Sequence, residues 1–416
     1  MKLQPAIRFA HGRCAPLDQT VQRLETALHA HYTCRYEGHE EGEGFHWGRL
    51  HIDDLEFSPM GKGTSALACK ASTYAEALEW LAVKGRRALP GYEACTPDRE
   101  AIAGLLAHIA LSAEQLNRIM QTELTRHWVD AWSVTESKAV KLPLEYIHGI
   151  SGTNGLAAGN VIEEAIVQGI NEVFERRAVI TLVKNRMIVP RIDPSSIEHA
   201  GIRAQLDVLE ARGLKVTIKD LSFGGALPCI GVYVRDPKVD PAWQSHHVFK
   251  AAAHVDRELA LMSCLTEYVQ LTASSQVLQR PASYARMQCD DTTDNFLPLF
   301  WFGYVPFADA TFLEEGELIA FEPGVAYDSC LEDIEEAQSV IKLLGLDLMV
   351  VDLTDPKIGF PVVQVIIPGY SDILPYHPAS SPVLFEGWTR DLPMGYIKAL
   401  SGSLTPCNVT GLFPDW

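Results

Sequence analysis

The sequence predicts an α/β (α+β) protein in which β-sheet layers are flanked by helices. Three observations carry this expectation: apolar residues recurring at helical spacing, short runs rich in β-branched residues, and an internal repeat of helix–strand–strand. In the repeat, Gln205–Gly213 ends a helix and leads into LKVTIKDLSFGGALPCIGVYVRD from Leu214. Behind a second helix, Ile334–Leu344, comes LDLMVVDLTDPKIGFPVVQVIIPG from Leu346. Each copy has Gly-Leu, a strand, Asp-Leu-Ser or Asp-Leu-Thr, a Gly–Pro stretch and a second strand, which implies two related halves. Asp220 and Asp352 in these copies read as turn residues whose side chains bond nearby amides.

Composition bounds the function. The chain has 416 residues, 47% hydrophobic and 21% charged, a normal globular balance. A net charge of −18 argues against a nucleic-acid surface, which needs a basic stripe. Nine cysteines without a C-x-x-C pair read as free thiols in a reducing cytoplasm. No signal-peptide pattern and no apolar run approaching 18 residues occur, so a cytosolic protein without a membrane segment is expected. The expected division is one catalytic domain over residues 1–375 and a Pro-rich tail, 376–416, packed on it.

Taken in order, Pro16–His31 is a helix with Asp18 as its expected cap, and HEEGEGFHWGRLHIDDLEF from His39 is a hairpin or loop. Gly61-Lys62-Gly63-Thr64-Ser65 is a glycine-rich turn opening the helix Ala66–Lys84. It lacks Walker A spacing, yet a turn joined to a helix N-terminus can cradle an anion. Glu76 and Glu79 lie three apart and so share a face of that helix. Residues 97–133 are helical in pattern, breaking around Trp128–Trp132, and Leu142–Ile147 reads as a short strand. A second small-residue turn, Gly152–Gly159, ends at Asn160, the expected N-cap of a long helix. On that helix Glu164 and Glu175 point nearly the same way at about 100° per residue, with Glu172 roughly 80° away. Such an acidic stripe, with only Arg176 beside it, repels itself if buried. Divalent cations with a polyphosphate would neutralise it; a solvated helix face is the plain alternative. His254–Gln270 is a further helix and carries Glu267, and MQCDDTTDNF (287–296) is an acidic loop without calcium-loop spacing.

These segments resemble the YcaO superfamily. Its members carry N-G-x-x-A-G-N, then E-x-x-x-x-x-x-x-E-x-x-E-R; here these are Asn154, Gly155, Ala158, Gly159, Asn160, Glu164, Glu172, Glu175 and Arg176. Arg13 and Thr20 fit a basic residue and a hydroxyl seven positions apart. Gly61–Gly63, Glu76 and Glu79 fit G-K-G followed by E-x-x-E-R, with Trp80 where the Arg stands. Glu267 fits R-x-x-x-E, with Ser263 in the Arg position and Arg257 a candidate substitute.

The resemblance implies a YcaO-like fold and an enzyme using ATP and Mg²⁺ to activate a peptide backbone amide oxygen. A nucleophile then adds, giving an azoline, thioamide or amidine. It implies Glu76, Glu172 and Glu175 as catalytic carboxylates, with Glu79 and Glu164 joining them on the metal ions. Arg13, Thr20, Lys62, Asn160, Glu164, Arg176 and Glu267 would bind the nucleotide. Azoline-forming members end in P-x-P-x-P; this sequence ends Leu412-Phe413-Pro414-Asp415-Trp416, which favours a non-azoline product. A peptide or protein substrate, a separate partner delivering substrate or sulfur, and a homodimer are also implied. Trp80 and Ser263 raise a second reading, a nucleotide-binding scaffold without its own turnover. A carboxylate metalloenzyme without nucleotide is the third.

Overall fold

The computed structural model describes residues 1–274 and 310–372, except 10–11, 43, 54–57, 90, 108–111, 225–226, 242 and 244–245. The acidic loop 287–296 and the tail from 376 therefore lie outside the described residues. Three sheets organise the chain. The first is antiparallel: β1 (Cys34–Glu40), β2 (His46–Ile52) and β3 (Met60–Gly63). The second runs β4 (Glu93–Ala94), β5 (His127–Ser133), β13 (Met349–Asp352), β14 (Val362–Ile366) and β7 (Leu156–Ala158), with β6 (Lys138–Leu142) also pairing β5. The third runs β11 (His247–Ala253), β10 (Cys229–Arg235), β9 (Lys215–Asp220), β8 (Arg191–Ile192) and β12 (Leu318–Ile319).

Helices fill the spaces between sheets. α6 (Ile162–Asn185) lies between the second and third sheets, its Ala165, Ile166, Ile170, Val173 and Phe174 sharing one core with Val363 and Val365 of β14 and Phe249 and Ala251 of β11. Because both faces of the helix are covered, its apolar residues run nearly all round it rather than along one stripe. β14 likewise is buried at every position, a continuous apolar run as expected for a strand covered on both faces. On the other side of the second sheet pack α1 (Leu17–His29) and α2 (Ala66–Gly85); on the other side of the third pack α7 (Ala200–Ala211) and α8 (Arg257–Ser274). The smaller helices α3 (Arg99–Leu105), α4 (Ala113–Met120) and α5 (Leu144–Ser151) complete the second layer's outer side, and α9 (Cys330–Leu343) packs beside α6. Among the described residues no helix is long and apolar enough to cross a membrane.

The expected hairpin after α1 forms, with Cys34 opposite Ile52 and Glu40 opposite His46. The two expected helix–strand–strand segments are α7-β9-β10 and α9-β13-β14, each with an antiparallel strand pair, and they stand in different sheets. Their Asp residues make turns: Ser222 N–H donates to Asp220 Oδ1 at 2.8 Å and Thr354 N–H to Asp352 Oδ1 at 3.0 Å.

Several sequence expectations are corrected. Gly61–Gly63 belongs to strand β3, not a turn, and the glycines are required because a Cβ on Gly61 would lie 2.2 Å from the Thr73 nitrogen and one on Gly63 2.4 Å from that of Cys69. Ser65 caps α2 through the Ala68 amide. Residues 144–147 are helical, since the strand stops at Leu142 and Pro143 starts α5. The segment 97–133 holds two short helices and then strand β5, which takes in Trp128 and Trp132. Pro16, not Asp18, stands at the N-cap of α1.

Candidate functional site

The site draws its side chains from α2, α6, α8, β3 and β11. The turn before α6 is shaped by Gly155. Its φ is +78°, and a Cβ there would lie 2.2 Å from the Val365 carbonyl oxygen, so no side chain fits. That geometry aims backbone amides at carboxylates. Gly155 N–H donates to Glu172 Oε2 at 3.0 Å, and Ala158 N–H donates to Glu79 Oε1 at 2.8 Å. Asn160 does not cap α6; Val161 holds that position, and Asn160 Nδ2 instead donates to Glu164 at 3.1 Å. Glu164 is 1% exposed and also accepts from Cys14 N–H at 2.8 Å and from Arg13 at 3.5 Å.

Glu76, Glu79, Glu172 and Glu175 lie close enough to act on one another's charge. Burial pushes Glu76 up to about 7, with Glu267 and Glu172 adding like charge against Lys62 and a hydrogen bond from Trp80. Burial holds Glu79 well above the usual carboxylate range, despite the Ala158 amide, with Glu76 and Glu172 raising it further. Glu172 and Glu175 are raised for the same reason, burial outweighing Arg176, and Glu267 opposes ionisation of both. Arg176 sits 3.3 Å from Glu172 and 3.7 Å from Glu175.

Glu267 behaves in the opposite way. Burial disfavours its charge, but Lys62 at 2.6 Å on one oxygen and Lys250 at 3.1 Å on the other hold it far below the usual range. Burial also works against the Lys62 ammonium, yet Glu267 more than offsets this. Lys250 is a residue that pattern reading missed. It sits in the middle of β11, HVFKAAA, where Val248 and Ala252 on the same face point into the α8 core, and this lone charge in an apolar strand was the available signal.

Most of the expected residues are thus brought together, in two linked groups. One comprises Glu76, Glu79, Glu172, Glu175, Arg176, Glu267 and Lys62; the other comprises Glu164, Asn160 and Arg13, and Arg13 acts electrostatically on Glu79 as well. Thr20 is fully buried, its hydroxyl donated to the Pro16 carbonyl. Arg257 does not substitute for the absent arginine at Ser263: it pairs with Asp220 at 2.6 Å. Arg23 is a further unexpected neighbour, donating to the Asn160 carbonyl and side chain at 3.1 and 3.3 Å.

Among the described residues no three His, Cys, Asp or Glu side chains lie close enough to hold a metal ion between them. Mg²⁺ commonly takes one or two carboxylates and completes its shell with phosphate oxygens and water. Half-buried, separated carboxylates that raise one another fit that kind of shared coordination.

Comparison with known proteins places the chain in a family. The family described as YcaO cyclodehydratase, ATP- and Mg²⁺-binding, matches residues 60–371. An uncharacterised protein of Methanothermobacter thermautotrophicus is 29% identical over 335 residues, covering 74% of this chain and 80% of that one. The ribosomal protein S12 methylthiotransferase accessory factor YcaO of Escherichia coli is 25% identical over 257 residues, 58% of this chain and 40% of that protein. Among solved structures, a heterocyclase in complex with substrate and cofactor matches with a TM-score of 0.67 at 20% identity, over 89% of this chain and 54% of that one. YcaO from Methanopyrus kandleri bound with AMPPCP and Mg²⁺ matches with a TM-score of 0.59, also at 20% identity, over 88% and 95% of the two chains. The structural matches establish the fold, the family match extends over most of the chain, and on that ground the chain belongs to the YcaO cyclodehydratase family, ATP- and Mg²⁺-binding.

Proposed function

We propose that this protein uses ATP to phosphorylate a backbone amide oxygen of a peptide or protein, so that a sulfur, hydroxyl or amine nucleophile can add at the amide carbon. The observation that carries this reading is the gathering of Glu76, Glu79, Glu172 and Glu175 within reach of one another's charge, beside a Glu267 doubly paired with Lys62 and Lys250. Carboxylates that raise one another in this way lack positive charge, and magnesium ions with a polyphosphate would supply it. Glu76, Glu79, Glu172 and Glu175 would hold those ions from α2 and α6, with Glu164 assisting from the start of α6. Lys62, Lys250 and Arg176 would meet the phosphate oxygens, where ammonium and guanidinium donors form short charge-assisted bonds. Arg13 and Asn160, both bonded to Glu164, would orient the remainder of the nucleotide.

In the reaction the amide oxygen attacks the γ-phosphorus and ADP departs. The nucleophile then bonds to the amide carbon, and the oxygen leaves with its phosphate. The residues of this chain would act by positioning and by charge, which is most of what phosphoryl transfer asks of a protein. Lys250, on the second oxygen of Glu267, supplies charge of the kind that Trp80 and Ser263 lack, which favours turnover over a scaffold role.

Calorimetric titration of ATP in Mg²⁺ tests the site, with wild type beside Glu175→Gln and Glu76→Gln. Binding by wild type that both variants lose supports it; no binding by wild type refutes it. Phosphate release that depends on an added peptide then separates the enzyme from the scaffold. The nucleophile, any partner delivering substrate or sulfur, and a homodimeric state belong to the same proposal and are read from product mass, co-purification and light scattering.

A further inference from the structure

Cys14 and Cys330 lie far apart in sequence and meet with their sulfurs 3.2 Å apart. Both are free thiols. The contact is part of a docked N-terminal arm. Ile7 bridges Ser329 as in an antiparallel ladder, Arg8 N–H donates to the Asp328 carbonyl at 2.9 Å, and Cys330 N–H donates to the Ala6 carbonyl at 2.9 Å. The Cys14 thiol points back at the Ala6 carbonyl, 3.7 Å away, and Arg8 forms an ion pair with Asp333. Cys330 is the first residue of α9, where helix amides favour a thiolate, and Ser329 caps that helix. Cys330 is buried and Cys14 is half-buried, so Cys14 is the less enclosed residue of the pair.

We propose that Cys14 and Cys330 are a redox-modification site, forming a reversible disulfide that staples the N-terminal arm to α9. With hydrogen peroxide as oxidant, oxygen transfers to one sulfur of the pair, the O–O bond breaks and one water leaves. The other sulfur then displaces the hydroxyl, giving the S–S bond and a second water; two thiol protons and two electrons have passed to the peroxide. A dithiol reductant reverses the step by exchange. The staple closes a very long loop and so restrains the unfolded chain as well as the arm. It also fixes Cys14, whose own amide holds Glu164, and its neighbour Arg13, which pairs with the same carboxylate.

The thiol pair would act whether or not the chain turns over a nucleotide. The full chain, reduced and then treated with graded hydrogen peroxide, is alkylated and digested for mass spectrometry. A peptide linking Cys14 to Cys330, removed by dithiothreitol, is expected at peroxide levels that leave the half-buried Cys34 and Cys95 alkylatable. Cleavage of the arm within residues 1–15 by a dilute protease should slow at least threefold in the oxidised wild type. It should be unchanged by peroxide in Cys14→Ser and in Cys330→Ser, the first of which replaces the less buried residue and keeps the test valid if the second folds poorly. The proposal is overturned if Cys14 and Cys330 stay alkylatable while Cys34 or Cys95 oxidises, or if the linked form is cleaved as fast as the reduced one.

Discussion

Replacing Glu76 by Gln should stabilise the protein without ligand while removing nucleotide binding. Glu76 is raised from the ordinary 4.5 to about 7, first by burial and then by Glu267 and Glu172. The folded state therefore holds a proton that the unfolded state has lost between these two values, so stability falls as pH rises through that window. At 1.36 kcal/mol per unit the penalty reaches about 3 kcal/mol above pH 7, and about 2 kcal/mol once the partial exposure of the side chain is allowed for. Glutamine keeps the shape and carries no charge, so it should recover about 2 kcal/mol at pH 8 and little at pH 4.5. Urea unfolding of both proteins at the two pH values, without Mg²⁺ or nucleotide, measures the difference. Calorimetry at pH 8 with Mg²⁺ and ATP supplies the functional half, in which the variant shows no heat of binding. A Gln variant that is less stable than wild type at pH 8, or equally more stable at both pH values, refutes the electrostatic reasoning.

Three further outcomes follow from the same structure. Lys250→Met leaves Glu267 with a single cation and should weaken Mg²⁺–ATP binding about tenfold, or 1.4 kcal/mol, with Lys250→Arg largely restoring it; unchanged affinity in the Met variant would remove Lys250 from the site. Glu145, although burial opposes its charge, is lowered to about 2 by Arg86, Arg87 and Tyr92, so its stabilisation is present above pH 4.5 and lost as pH falls toward 2. Glu145→Gln should thus cost about 3 kcal/mol at pH 7, a gap in unfolding free energy that closes on acidification. Gly155→Ala meets the Val365 carbonyl at 2.2 Å with φ at +78°, and should cost more than about 2 kcal/mol in unfolding experiments and weaken nucleotide binding by shifting the amide on Glu172.

Much of this protein was legible in its residues. The two carboxylate-bearing helices, the hairpin after α1, and the Asp220 and Asp352 turns all follow from local chemistry, because periodicity and short side-chain-to-amide bonds need only neighbouring residues. The motif around Asn154–Arg176 also identified the family from sequence alone. Other features were decided by distant contacts. Leu144–Ile147 is a short apolar run that suits strand or helix, and Pro143 tipped it to helix. The glycines flanking Lys62 suggest a turn, yet α2 lies so close that they serve a strand instead. Asn160 has the right chemistry for a cap, but the buried Glu164 claims its amide. The pairing of Lys250 with Glu267, and of Cys14 with Cys330, joins segments that no local window contains. The sequence by itself determined which residues could form helices, strands and a carboxylate site. Only the tertiary structure decided how much charge each carboxylate keeps, because burial and the field of distant ionised groups exist only once the layers have closed around them.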